Sequence, residues 1–216
     1  MSLFSEKKFK SSVTGKELKY LYYSPDNAVN VPLIIYLHGA GSRESDLASL
    51  AHVGPIGELE RGRKIPARIV APQCHGDTWF ELFETLVDFA EAAVNENGVD
   101  KKRVYLTGVS MGAFAAWQLA MTRPELFAAL VPVCGGGMYW NAERLKNMPV
   151  WAFHGALDDD VYPEESIKMV KGINKSGGNA KITVFEKADH NAWDPAYALD
   201  EMWNWMFLQV NDLRWA

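Results

Sequence analysis

Short apolar runs alternate with helix-like segments along most of the chain, and this alternation constrains the fold more than any other feature. The runs VPLIIYLH (31–38), ARIVAP (67–72), RVYLTG (103–108), FAALVPV (127–133) and VWAFHG (150–155) are short and almost uniformly apolar. They read as strands buried on both faces. ELKYLYYS (17–24) and KITVFEKA (181–188) read as further strands, and the turn-rich stretch 25–30 separates the first two. Between strands, residues 78–98 carry helical apolar spacing with Gly98 as the expected C-cap. Residues 111–122 predict a helix, and residues 163–178 predict another that begins at Pro163 and ends in glycines. An amphipathic helix over 196–210 closes the chain. The pattern predicts an α/β fold with a mostly parallel central sheet of about eight strands and helices on both faces. No repeat, low-complexity tract or linker interrupts it, so residues 1–216 read as a single domain.

Several function classes lack their sequence signature. The formal net charge is −5 and no basic run stands out, so a nucleic-acid partner is not expected. No apolar stretch reaches bilayer-spanning length, which argues against stable membrane insertion. The amino-terminal residues lack the apolar core of a signal peptide, so a cytoplasmic location is expected, with a previously removed leader compatible with the same sequence. Cys74 and Cys134 offer neither a disulfide framework nor metal-ligand spacing and read as reduced packing residues. With no metal spacing and no dinucleotide glycine fingerprint, no cofactor and no metal are expected. Nothing in the sequence specifies an oligomeric state.

Ligands of parallel sheets bind beyond the carboxyl ends of the strands, and three chemically suggestive residues follow predicted strands closely. Ser110 lies in GVSMG (108–112), between a strand and a helix. Gly-x-Ser-x-Gly is the pattern of a tight strand-to-helix turn that exposes a serine hydroxyl. A serine is a weak nucleophile at neutral pH and needs a base, itself oriented by a third group. Of five histidines, His190 in EKADHNAWDP directly follows the last predicted strand and is the expected base. His38 and His154 precede glycines at strand ends and read as loop braces, while His52 and His75 have no partner pattern. HGALDDDVYP offers Asp158, Asp159 and Asp160 as orienting acids, of which one carboxylate reaches the imidazole. An oxyanion needs two N–H donors. Met111, the residue after the serine, supplies one; Ala40, in the glycine-flanked loop after IIYLH, is expected to supply the other.

In combination, IIYLHGAGSRESD, IVAPQCHGDTW, RVYLTGVSMGAFAAWQLAMTRPELFAALVPVCGGG, PVWAFHGALDDDVYPEES and ADHNAWDPAY resemble the α/β-hydrolase superfamily. More narrowly, they resemble its small phospholipase/carboxylesterase-like group, which includes dienelactone-hydrolase relatives and proteins described as predicted peptidases or feruloyl-esterase-like. The segments run from about residue 31 to 197. The resemblance implies the α/β-hydrolase fold, Ser110 as nucleophile, Asp158 as acid and His190 as base. Dienelactone hydrolases carry cysteine at the nucleophile position, so Ser110 favours esterase chemistry. Ala113 departs from the second glycine common among relatives, which bears on helix packing more than on chemistry.

The resulting expectation is a serine carboxylic-ester hydrolase acting on small-molecule esters that are short-chain, small aromatic or sugar-linked. The alternatives are a serine peptidase using the same triad and a non-catalytic binding protein with this fold. Gln73, Trp79 and Trp140 lie near predicted strand ends and are expected to shape the substrate pocket. Only MYWNAERLKNMP separates VPVCGGG from VWAFH, which leaves no room for a substantial cap domain.

Overall fold

The computed structural model describes residues 3–26, 29–43 and 46–212. The expected turn at 25–30 therefore includes two positions outside the described residues. Eight strands form one sheet: β1 (Ser5–Lys10), β2 (Glu17–Tyr23), β3 (Val31–Leu37), β4 (Arg68–Pro72), β5 (Val99–Val109), β6 (Ala129–Val133), β7 (Val150–Gly155) and β8 (Ala180–Phe185). Their spatial order is β1-β2-β4-β3-β5-β6-β7-β8. β1 and β2 pair antiparallel, β2 pairs antiparallel with β4, and every other pairing is parallel. This is the mostly parallel sheet of the α/β-hydrolase fold.

Among the described residues, six α-helices accompany it: α1 (Gly54–Glu60), α2 (Phe83–Val94), α3 (Met111–Thr122), α4 (Glu164–Lys175), α5 (Trp193–Ala198) and α6 (Asp200–Phe207). Strand β3 shows how they divide. Successive strand side chains point to opposite faces, so Leu33, Ile35 and Leu37 join Leu86 of α2, Trp117 of α3 and Ile173 of α4 in one core layer. Ile34 and Tyr36 join Ile56 of α1, Tyr197 of α5 and Met202 of α6 in the other. Burial on both faces explains why the parallel strands read as unbroken apolar runs.

Local departures from the sequence expectations have physical causes. β1 was not expected, because SEKKFK is an edge strand that stays largely exposed and lacks a continuous apolar face. β5 begins at Val99 rather than 103; its polar first half pairs with β3 only through Val31 and Val99, and the register then shifts. The helix expected over 78–98 is a 3-10 turn at Trp79–Leu82 followed by α2, which is capped at Asn95. Gly98 instead takes a positive φ of 83° in the turn into β5. The closing helix breaks at Leu199, which is extended, and the Trp203 indole N–H donates to the Tyr197 carbonyl freed by the break (2.7 Å). α1 was missed because its glycine and proline content masks its periodicity. Among the described residues, no helix is long and apolar enough to cross a membrane.

Candidate active site

Strand order reverses at β3, which lies between β4 and β5. The loops that leave β3 and β5 therefore diverge around a crevice at their carboxyl ends, the usual ligand position in such sheets. Ser110 occupies the turn from β5 to α3 with φ 52° and ψ −122°. A non-glycine residue there costs on the order of 1–3 kcal/mol and persists only where surrounding bonds enforce it. Those bonds are present. The Ser110 N–H donates to Val133 O (2.9 Å), and its carbonyl accepts from the N–H groups of Ala113 (2.8 Å) and Phe114 (3.1 Å). The flanking glycines are steric requirements. A Cβ at Gly112 would collide with the Leu37 carbonyl, and one at Gly108 would lie 2.5 Å from the Gly112 oxygen. The first turn of α3, with its positive dipole end, thus sits directly behind the hydroxyl.

His190 and Asp158 arrive on the loops after β8 and β7. These loops are tied together: Ala156 N–H donates to Phe185 O (2.9 Å) and Leu157 N–H to Ala188 O (3.0 Å). Gly155 permits the approach, since a Cβ there would strike the carbonyl oxygens of Ala188 and Asp189. His190 Nδ1 lies 2.8 Å from Asp158 Oδ2, and Nε2 lies 2.9 Å from Ser110 Oγ. An ionised carboxylate only accepts, so Nδ1–H donates to Asp158 and Nε2 is left to accept the serine proton. The other oxygen, Asp158 Oδ1, accepts from the N–H groups of Asp160 (3.1 Å) and Val161 (2.9 Å). Burial pushes the Asp158 carboxyl up, but hydrogen bonds led by those from His190 and the Val161 N–H outweigh it. The net displacement is downward, so the group stays ionised. Asp159 and Asp160 are exposed.

Ala40 opens a 3-10 turn, Ala40–Ser42, after β3, and Met111 is the first residue of α3. Among the described residues, neither backbone N–H has a protein acceptor. The β3 loop abuts Ser110: a Cβ at Gly39 would sit 3.4 Å from Ser110 Cβ. Four side chains brace this loop. His38 bonds the Gly39 carbonyl through Nδ1 (2.7 Å) and accepts the Cys74 N–H at Nε2 (2.9 Å). Burial lowers the His38 pKa to about 4, so it stays neutral, as the accepting nitrogen requires. Arg43 Nε–H donates to Ala40 O (3.1 Å), and Gln73 Nε2–H donates to Ser42 O (3.3 Å). The Trp79 indole N–H donates to His38 O (3.0 Å).

A cavity of about 470 Å³ opens beside Ser110 and His190, walled by Tyr36, Val53, Val109, Val161 and Trp193. The three residues expected to shape the pocket lie elsewhere. Trp79 is fully buried in the core layer of α2 and α3, because its indole N–H finds the His38 carbonyl and its ring has apolar neighbours. Trp140 projects into solvent, 72% exposed, from the 3-10 segment Tyr139–Leu145. Gln73 is buried beneath the β3 loop and borders a separate polar recess with Glu17, Lys19 and His75. The walls that sequence reasoning missed had one signal available, their closeness in sequence to the candidate residues Asp158 and His190. Val161 lies three residues after Asp158 and Trp193 three after His190, where the Trp193 ring meets the imidazole edge-on at 5.3 Å.

A model of the dienelactone hydrolase family matches residues 67–198. A solved thermostable esterase superposes with a TM-score of 0.83 at 31% identity, over 96% of this chain and 63% of that one. A bifunctional acetylxylan esterase/xylanase from Neocallimastix patriciarum is 25% identical over 146 residues, covering 63% of this chain and 21% of its own length. A poly(3-hydroxyalkanoate) depolymerase C from Paucimonas lemoignei is 29% identical over 126 residues, covering 50% and 28%. The chain thus spans between about a fifth and two thirds of the length of these three proteins.

Proposed function

The chain belongs to the dienelactone hydrolase family, and from that premise we propose that it is a serine carboxylic-ester hydrolase acting through Ser110, His190 and Asp158. The observation that carries this reading is the continuous line of hydrogen bonds from Asp158 through His190 to Ser110, ending at an open, mostly apolar cavity. His190 Nε2 takes the serine proton as Oγ attacks the ester carbonyl. The oxyanion that forms is met by the N–H groups of Ala40 and Met111. When the C–O bond breaks, His190 returns the proton to the departing alcohol and leaves an acyl group on Ser110. Water, deprotonated by the same imidazole, then attacks the acyl carbonyl; the bond from that carbonyl to Ser110 Oγ breaks, the imidazolium returns the proton to Oγ, and the acid is released. Throughout, Asp158 holds the imidazole in the tautomer whose Nε2 faces the serine. The esterase names of the similar proteins support the same class of reaction.

A fluorophosphonate probe tests the reading. It should label the wild-type protein at Ser110 and block hydrolysis of p-nitrophenyl acetate in proportion. Absence of both labelling and turnover would leave the fold as a non-catalytic binding scaffold. A parallel panel of amide and peptide substrates should react far more slowly than the esters; efficient peptide cleavage would move the assignment to a peptidase.

Chain-length preference follows from the cavity. Between β6 and β7 the chain makes only the 3-10 segment Tyr139–Leu145, and this packs against α4 rather than over Ser110. A long acyl chain therefore has little apolar wall to shelter it. Each sheltered methylene contributes about 0.8 kcal/mol, and each unsheltered one almost nothing. The expected kcat/KM is highest for acetate or butyrate esters of p-nitrophenol and falls towards palmitate. A steady rise with chain length would contradict the open-site reading.

A further inference from the structure

The acid of the triad touches two imidazoles. Asp158 Oδ2 lies 2.8 Å from His190 Nδ1 and 3.2 Å from Nε2 of His154, a residue at the end of β7 with no exposed side-chain surface. We propose that His154 is a positioning residue of the catalytic site: a second imidazole that donates from both ring nitrogens, faces Asp158 from behind as a cation and limits its pull on His190. The proposal rests on the triad reading above.

The donor count around His154 supports the charge. Nε2 lies 2.8 Å from Val161 O, and Nδ1 lies 2.8 Å from Ser166 Oγ. Ser166 Oγ is in turn 2.6 Å from Gly135 O. Both carbonyls can only accept, and Ser166 has one proton to give. A neutral His154 with its proton on Nε2 would need that serine proton at Nδ1. Serine and Gly135 oxygens would then face each other at 2.6 Å with no hydrogen between them. With both ring nitrogens protonated, each of these three contacts is a hydrogen bond: Nε2–H to Val161 O, Nδ1–H to Ser166 Oγ, and Ser166 O–H to Gly135 O, while Asp158 Oδ2 faces the same ring nitrogen, Nε2, as an ionic contact at 3.2 Å.

The need for a cation is equally physical. The Asp158 side chain has no exposed surface, and a buried carboxylate without a positive partner is strongly destabilising. Neutral His190 cannot supply that charge in the resting enzyme, because its Nε2 must be free to accept. The remaining group against the pair is Cys134, whose thiol lies within reach of both His154 and Asp158. Burial pushes that thiol up to about 12, so it carries no competing charge. Asp160, whose carboxylate approaches Asp158 and His190, is solvent-exposed and screened. With both His154 nitrogens protonated and the Cys134 thiol neutral, this buried trio also lacks the deprotonated donors a metal ion requires.

The consequence is a shift in working pH. An unopposed carboxylate stabilises the imidazolium form of its partner. A cation behind Asp158 offsets that pull, so removing it should favour the imidazolium form of His190. Two experiments test this. The imidazole 15N resonances of His154 in the wild-type protein at pH 8 should show both nitrogens protonated; a neutral-tautomer signature would overturn the proposal whether or not the protein hydrolyses esters. In the pH profile of kcat/KM, His154→Gln keeps a side-chain N–H donor at this position and removes the charge. Its acid limb should move towards higher pH by about one unit, with little change in KM. Ser166→Ala, which removes only the Nδ1 acceptor, should move the limb in the same direction. Acid limbs that coincide with wild type in both folded variants would reduce His154 to a packing residue. A wild-type protein that neither labels nor turns over would refute the triad reading while leaving the resonance test to decide the protonation state.

Discussion

Ser110→Ala is expected to lower kcat by about six orders of magnitude, the scale of loss when a triad nucleophile is removed. The proposal gives the hydroxyl a covalent role, and no neighbour replaces it. Cys134, the nearest thiol to Asp158, is fully buried with its pKa pushed up to about 12, so it cannot act as a substitute nucleophile. The substitution should leave the fold intact. Alanine tolerates the φ of 52° no better than serine does, and the backbone bonds that enforce the turn do not involve the hydroxyl. The measurement is steady-state hydrolysis of p-nitrophenyl butyrate, with thermal melting as the control for folding. A folded Ser110→Ala variant within about tenfold of wild type, a barrier difference of only ~1.4 kcal/mol, would remove the acyl-enzyme mechanism.

Legibility in the sequence followed how each feature is encoded. Parallel strands such as β3 and β6 are buried on both faces, so their apolar runs are conspicuous. β1 is half in water and pairs only along one edge, and its residues resemble any exposed segment. Ser110, Asp158 and His190 could be grouped because each follows a strand of the same parallel sheet, and parallel strands present their carboxyl ends together. Pocket walls are encoded differently. Trp79 and Trp140 have the right residue type near strand ends, but which way a ring turns depends on partners distant in sequence. Trp79 turned inward to meet His38 O, 41 positions away, and Trp140 has no such partner among the described residues. Tyr36 lines the cavity from the middle of an apolar run, where nothing local separates a wall residue from a core residue. The second contact on Asp158 was hidden for a related reason. His154 reads as a loop brace, and its bonds to Val161 and Ser166 fit that reading; only the three-dimensional path of the β7 loop also puts its Nε2 against the carboxylate.

The choice among three consecutive aspartates gives the second large effect. Asp158→Asn should reduce kcat by about 10⁴-fold, the loss expected when the carboxylate that orients a triad histidine becomes an amide. An asparagine that presents its NH2 to Nδ1 forces the imidazole into the opposite tautomer, with a proton on Nε2 facing the serine, so the base can no longer accept. Asp159→Asn and Asp160→Asn should stay within about threefold of wild type, as exposed substitutions generally do. Asp160 contributes to the site through its backbone N–H on Asp158 Oδ1, which asparagine retains. Stability separates the three variants as well. The folded-state pKa of Asp158 is depressed, so its ionised form stabilises the native state above the unfolded carboxyl pKa near ~3.9. That contribution is lost as pH falls through the lower folded value. Asp158→Asn should therefore melt below wild type at neutral pH, and the gap should narrow on acidification below about pH 4. Melting curves across that window, read beside the kinetics, test the assignment twice. If Asp160→Asn were the inactive variant, or if the melting gap of Asp158→Asn did not depend on pH, the buried carboxylate behind His190 would have to be reassigned.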